Sequence, residues 1–441
     1  MKILQIANGD FFSTYGGGQV YVKNVVDEMI RQNLDITVIS FTRHCGLDPQ
    51  SPFQKQNYKG IDLYEIYPKD ENIIKLLIRQ INPDIIHIHA EKAMLSKIGK
   101  ELNIPTVITA HHGGIVCPAG TLMNYKDEIC KIPVNHQNCM RCVLRNTRFG
   151  EFFYPLLKIL PLSFRLKIGN RLSQLPFIYF VTPVLNTNLY IENKRKEWNA
   201  IVENTGKMIA PSYAIAENMV LNGLPQKKIE IVPHGIPALP GRHCGESRNP
   251  LNNVEIVGLK FFYVGRIAYI KGIHLLLKAF VKSAEDSRLR GNDTELHLIG
   301  NIQGEYAQKL QKKYKNHPRI IFHGKIQPDE VSKLIESFDI LVHPAICLEI
   351  FGLDISEALL QGKPVIATRC GGAEMQIEDK KNGLLIEPNQ IEALKIAMRW
   401  MIDHPDERRK MAENAPQKVI LMDEHIKNIV YLYEKLQCKN V

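Results

Sequence analysis

Short apolar strands alternate with amphipathic helices along most of the chain, and this alternation is the strongest constraint on its fold. Lys2–Ala7 reads as a strand and Gly16-Gly17-Gly18 as the turn that follows it. Val20, Val22, Val25, Val26, Met29 and Ile30 then recur at helical spacing. Ile36–Ser40, Asp84–His89, Pro105–Ala110, Lys207–Ala210 and Lys228–Val232 read as further strands, with a helix near Tyr213–Asn222. The pattern restarts in the second half. Strands are expected at Phe261–Val264, Glu295–Ile299, Arg319–His323, Asp339–His343 and Pro364–Ala367, with a helix near Leu353–Gln361. Strands separated by helices of this length form parallel sheets with crossover helices. Ligands of such sheets bind beyond the carboxyl ends of the strands.

The expectation is an α/β protein of two Rossmann-like domains facing a central cleft. The polar stretch Pro237–Val257, rich in Pro, Gly and Asn, marks the boundary. The domains are set at 1–235, with a Cys-rich insert at 113–150, and at 236–410. A helical tail at 411–441 is expected to pack back on the first domain.

Composition narrows the class. Of 441 residues, 45% are hydrophobic and 23% charged, which is ordinary for a globular chain. The net charge of +10 favours anionic partners such as nucleotides, lipid head groups or nucleic acid. No nucleic-acid motif is present, so nucleic acid is not an expected partner. Nine cysteines in a chain this long do not indicate a disulfide scaffold. The first apolar stretch is too short for a signal peptide. No uninterrupted apolar run reaches the ~18 residues of a spanning helix. A cytoplasmic protein, peripheral at most on the membrane, is expected.

Arg43-His44-Cys45-Gly46 recurs as Arg242-His243-Cys244-Gly245, and Ser287–Asp293 has a similar character. All three fall in expected connections, where inserted backbone stays solvated. They read as insertions. A metal site from Cys45, Cys244, His44 and His243 is the competing reading.

Four short motifs carry chemistry. Glu349-Ile350-Phe351-Gly352-Leu353 leads into a helix that bears Glu357. Gly352 would admit close approach to the backbone, and the free N–H groups of the helix start would face an anion. Gly265-Arg266 and Lys271-Gly272 follow the strand Phe261–Val264. A forked and a mobile cation there suit a diphosphate. Cys370-Gly371-Gly372-Ala373-Glu374 and Asn382-Gly383 complete the series. Singly, each also reads as a solvated loop, a surface helix or a turn.

In this order the motifs resemble the nucleotide-sugar half of retaining glycosyltransferases with the GT-B fold, and glycosyltransferase family 4 in particular. Gly16-Gly17-Gly18 and Thr109-Ala110-His111 resemble motifs of that family's first half. The resemblance implies a retaining glycosyltransferase that uses a nucleoside-diphosphate sugar and needs no obligatory metal. Arg266 and Lys271 would bind the donor diphosphate and offset leaving-group charge. Glu357 would hold the ribose hydroxyls, with Phe351, Gly352 and Leu353 around the donor. Glu349 would sit by the transferred sugar. His111 would contact the sugar or acceptor, and Gly17 and Gly18 would let the first loop approach the diphosphate. Ile350 stands where the family often has Gly. The acceptor would be a saccharide or a lipid-linked saccharide of surface polysaccharide assembly. The rival readings are a nucleotide-sugar 2-epimerase of the same fold and an inactive GT-B subunit that binds a partner.

Two segments remain. Cys117, Cys130, Cys139 and Cys142 suit a tetrahedral structural zinc site, with free thiols or transient disulfides as the alternative. His136, inside the segment, is expected to be solvated. From Phe152 to Ile191 there is no Asp or Glu, and Lys158, Arg165, Lys167 and Arg171 lie among apolar residues. That composition fits either an anionic membrane surface or buried helices with a few exposed cations.

Overall fold

The strands form where the sequence is β-branched and apolar on both faces, as strands covered by helices on each side require. The computed structural model describes residues 1–7, 11–12, 16–41, 53–67, 69–172, 182–238, 258–284 and 294–438. The repeated segments that begin at Arg43, Arg242 and Ser287 lie outside these residues, as does the competing Cys45–Cys244 metal site.

The chain divides into two compact units, Met1–His234 with Met422–Val441, and Gly235–Leu421. The first holds β1 (Ile3–Ile6), β2 (Ile36–Phe41), β3 (Phe53–Tyr58), β4 (Ile61–Ile66), β5 (Ile85–Ile88), β6 (Thr106–Thr109), β7 (Lys207–Ala210) and β8 (Ile229–Ile231). Their order in the sheet is β3-β4-β2-β1-β5-β6-β7-β8. Only the β3–β4 pair is antiparallel. Chain order reverses between β1 and β5, so the carboxyl ends of those strands are where a ligand of such a sheet binds. Ile3, Leu4 and Ile6 are fully buried there.

The second unit holds β9 (Lys260–Val264), β10 (Glu295–Ile299), β11 (Ile320–Gly324), β12 (Ile340–His343), β13 (Val365–Thr368) and β14 (Gly383–Ile386). All are parallel, in the order β11-β10-β9-β12-β13-β14. The reversal lies between β9 and β12.

The expected tail, 411–441, takes in the end of the helix Pro405–Asn414 and the whole of the helix Met422–Gln437. Residues 411–421 group with the second unit, and only the last helix belongs with the first. That helix buries Ile426, Ile429, Leu432 and Tyr433 on one face.

Candidate functional site

In the second unit the site grows from three strand ends. β9 runs into Gly265 and Arg266, and the Tyr263 hydroxyl donates to the Arg266 carbonyl at 2.8 Å. The Arg266 side chain is exposed. A short 3-10 turn then carries Lys271, and Gly272 follows with φ +70°. A Cβ on Gly272 would stand 1.9 Å from the Pro344 carbonyl oxygen, so this turn requires glycine. The turn thereby seats Lys271 against the chain leaving β12.

Lys271 Nζ donates to Glu349 Oε1 at 2.6 Å in a largely buried ion pair. Burial opposes the charged form of each partner, and each partner's charge overrides it. The Lys271 ammonium is therefore held above its ordinary range and the Glu349 carboxyl below its own. A second pair lies within electrostatic reach: His343 Nδ1 and Asp354 Oδ2 are 2.7 Å apart. Burial lowers His343, but Asp354 raises it further, to about 10. Burial raises the Asp354 carboxyl, and the imidazolium brings it below its ordinary range.

The loop that carries Glu349 is held by its backbone. Glu349 N–H donates to the Cys370 carbonyl at 2.7 Å, and Gly372 N–H donates to the Glu349 carbonyl at 3.1 Å. Gln376 Nε2 donates to the Phe351 carbonyl at 2.6 Å and the Gly352 carbonyl at 3.1 Å. Those bonds keep Glu349 in register with Ile350 in place. Gly352, at φ +87°, opens the helix Leu353–Leu360 with no side-chain cap, which leaves its first N–H groups available to an anion. Phe351 is buried beside it. Glu357 lies one turn on, half-buried. Burial and the Asp354 charge raise its carboxyl to about 7.

The two turn motifs are braces. Glu374 Oε2 accepts the Gly371 N–H at 2.9 Å, and Asn382 Nδ2 donates to the Gln376 carbonyl at 2.9 Å. His343, Asp354 and Gln376 were not singled out from the sequence.

The first unit contains a buried polar network beyond β1, β5 and β6. Gln5 on β1 registers with His87 on β5, and His89 follows on the same face. His89 Nδ1 meets His111 Nε2 at 2.7 Å, and His89 Nε2 meets Gln5 Oε1 at 3.0 Å. The Tyr433 hydroxyl meets His87 Nδ1 at 2.6 Å, and His87 Nε2 meets Thr109 Oγ1 at 2.7 Å. The Tyr21 hydroxyl meets His425 Nε2 at 2.7 Å, and the Tyr21 ring lies 4.0 Å from that of His234. Burial lowers His87 to about 3 and His425 to about 4, and holds His89, His111 and His234 well below the usual imidazole range. The histidines are neutral at pH 7. Of these, sequence reading singled out only His111. The signal for His87 and His89 was the alternation Ile-His-Ile-His at the end of β5, and none marked His234 or His425. Gly17 and Gly18 are the first two residues of the helix Gly17–Arg31, one step later than the turn expected for them.

The cysteine segment corrects an expectation. Cys117, Cys130, Cys139 and Cys142 line one cavity. Yet no group of three or more His, Cys, Asp or Glu side chains among the described residues is placed to hold a metal ion. Burial raises Cys139 to about 12 and Cys142 to about 11, so both are protonated thiols when no metal is bound. The structural zinc reading is not supported. His136 is buried rather than solvated, with Nε2 3.0 Å from Glu192 Oε2. Arg165 is also buried, and Nη1 donates to Asn188 Oδ1 at 3.1 Å. Lys158, Lys167 and Arg171 are exposed, beside Phe152 at 81% and Ile159 at 82% exposure.

Two family models match the chain: "Glycosyl transferases group 1" over residues 258–418 and "Glycosyltransferase Family 4" over residues 15–127. Together they take in more than half of it. The chain belongs to the family 4 glycosyltransferases of the GT-B fold. The D-rhamnosyltransferase WbpZ of Pseudomonas aeruginosa is 31% identical over 167 residues, 36% of this chain and 41% of that one. The O-antigen chain mannosyltransferase C of Escherichia coli is 27% identical over 233 residues, 52% of this chain and 59% of that one. The match thus spans less than two thirds of either relative's length. The crystal structure of Anabaena Alr3699/HepE in complex with UDP aligns over 99% of this chain and 100% of that chain, with a TM-score of 0.64 and 16% identity. This last likeness concerns the fold. No helix among the described residues of this family 4 member is long and apolar enough to cross a membrane.

Proposed function

We propose that the protein is a retaining glycosyltransferase that moves a sugar from a nucleoside diphosphate to an acceptor hydroxyl. The observation that carries this reading is the Lys271–Glu349 pair beside the uncapped helix start at Gly352, beyond the carboxyl ends of β9 and β12. The diphosphate takes the N–H groups of Leu353 and Asp354 together with Arg266 and Lys271. Glu357 holds the ribose hydroxyls and Glu349 lies by the transferred sugar. The bond from the anomeric carbon to the phosphate oxygen breaks, the diphosphate leaves with the electron pair, and Lys271 and the helix start stabilise that charge. The acceptor oxygen bonds to the same face, and its proton passes to the departing phosphate. Glu349 is tied up with Lys271, which disfavours it as a nucleophile and supports this front-face course over a covalent intermediate. His111 contacts a saccharide hydroxyl.

The acceptor is proposed to be a saccharide or lipid-linked saccharide of surface polysaccharide assembly, in line with the similarity to an O-antigen chain mannosyltransferase. The protein would then work on the cytoplasmic side of the membrane, with the exposed Phe152, Leu156, Ile159 and Phe164 and the neighbouring cations resting on anionic lipid.

The test is release of nucleoside diphosphate from a panel of UDP-, GDP- and ADP-sugars, with the product's anomeric configuration read by NMR. Retention supports the proposal and inversion contradicts it. Release of a changed sugar without an acceptor would favour the epimerase. Co-sedimentation with anionic vesicles at low salt tests the lipid contact, and no binding rejects it.

A further inference from the structure

The hydrogen-bond network of the first unit has a direction, and Gln5 sets it. Its amide nitrogen faces Met29 Sδ at 3.4 Å and the Tyr433 hydroxyl at 3.2 Å. A thioether sulfur only accepts, so the nitrogen and not the oxygen of Gln5 points there. The Gln5 oxygen is left facing His89 Nε2 at 3.0 Å. An amide oxygen only accepts, so His89 carries its proton on Nε2. A neutral imidazole has one N–H, and Nδ1 of His89 is therefore a lone pair. That lone pair faces His111 Nε2 at 2.7 Å. His111 must donate from Nε2, which leaves its own Nδ1 as the acceptor.

The second branch agrees. The Tyr433 hydroxyl accepts from Gln5 and so gives its proton to His87 Nδ1, and His87 Nε2–H donates to Thr109 Oγ1. No link in either branch meets donor to donor. His111 is only partly buried, and its Nδ1 has no hydrogen-bond partner among the described residues. The groups acting on it, Lys92, His234, His87 and His112, are all basic, so they join burial in resisting a second proton. The Tyr21 ring, 5.3 Å from the His111 ring, packs against it from the helix Gly17–Arg31.

We propose that His89 is a positioning residue that holds His111 as the Nε2–H tautomer, so that Nδ1 of His111 accepts the O–H of a saccharide hydroxyl and cannot donate to one. The saccharide rests on the glycosyltransferase reading, but the tautomer does not. Sugars whose hydroxyl at that point is capped as a methyl ether would lose this bond, whereas a reversed tautomer could still donate to the ether oxygen.

The experiment uses full-length protein labelled with 15N-histidine. Long-range 1H–15N spectra distinguish the two neutral tautomers and the imidazolium, and His111→Gln identifies the signal of His111. The expected pattern is Nε2–H at pH 7.5, with no titration down to about pH 5.5. His89→Asn keeps an acceptor close to the place of Nδ1, and His89→Leu removes it. The Asn variant should keep the His111 tautomer, and the Leu variant should mix it. With the best nucleotide sugar of the panel, His89→Leu should lower kcat/KM by about tenfold or more, and His89→Asn should recover to within about threefold. An Nδ1–H or imidazolium form of His111 in the wild type overturns the proposal. So does a Leu variant with an unchanged tautomer and unchanged kcat/KM. Equal impairment of both variants, each melting like the wild type, would reduce His89 to a packing residue. If no sugar nucleotide is turned over, the glycosyltransferase reading fails, and the spectra still decide the role of His89.

Discussion

Replacing Glu357 by glutamine should make the protein more stable at alkaline pH while weakening its hold on nucleotide. Glu357 is half-buried in the helix Leu353–Leu360, and burial with the nearby Asp354 charge raises its acid from 4.5 to about 7. Between those values the unfolded chain has released a proton that the folded chain retains. Stability therefore falls as pH rises through that window and stays reduced above it. At about 1.4 kcal/mol per pH unit the full difference is about 3.5 kcal/mol. Solvent screening of this partly exposed group brings this to about 1–2 kcal/mol. Glutamine has nothing to ionise. Glu357→Gln should melt about 2–6 °C higher than wild type at pH 8, with no advantage at pH 4.5. Its stabilisation by nucleotide should shrink, because a neutral amide grips ribose hydroxyls less strongly than a carboxylate does. Melting curves at both pH values, with and without UDP, GDP or ADP, supply the test. An equal gain at both pH values, or a loss at pH 8, would refute the reasoning.

Lys271→Ala strands the buried Glu349 carboxylate. It should lower stability by about 3–5 kcal/mol and abolish transfer, whereas Lys271→Met with Glu349→Gln should restore the melt but not the transfer. A fully active Lys271→Ala protein would sink the assignment. Gly272→Ala combines a positive φ with a Cβ 1.9 Å from the Pro344 oxygen, so it should lower the melting temperature by an amount equivalent to about 1–3 kcal/mol. An unchanged melt would mean that the turn differs from the one described. The first unit should be acid-sensitive. Burial keeps His87, His89, His111, His234 and His425 unprotonated. Their stabilising effect is present above the unfolded value of ~6.5 and lost as pH falls below it. Far-UV melts from pH 7 to 4 should drop steeply, and a flat profile would contradict the buried network.

The sheets were legible because their strands are continuous apolar runs, and the strands read from the sequence agree with those observed to within one or two residues. β3 was not legible. Its sequence, FQKQNY, is polar, and it lies at the sheet edge with three of its six residues exposed. β14 was read as part of an Asn-Gly turn, because the turn and the strand share Gly383. In the second unit, residue types and their order pointed to Arg266, Lys271, Glu349 and Glu357. The pairing of Lys271 with Glu349 could not be read, since 78 positions separate them. His343 and Asp354 look ordinary until the fold puts them 2.7 Å apart. The histidine network depends on Tyr433, which is 346 positions from His87. The cysteines were read as metal ligands from proximity in sequence, which reports neither burial nor the placement of the sulfurs.

The central claim is that the second unit holds a nucleoside-diphosphate sugar at Lys271, Glu349, Glu357 and the helix start after Gly352. A thermal-shift screen with UDP, GDP, ADP and their sugar conjugates tests it most directly. A ligand at ~100 times its Kd should stabilise by about 2.7 kcal/mol. The account predicts such a shift with one nucleotide class and its loss in Glu357→Ala. No shift with any nucleotide, or a shift untouched by Glu357→Ala, would contradict it.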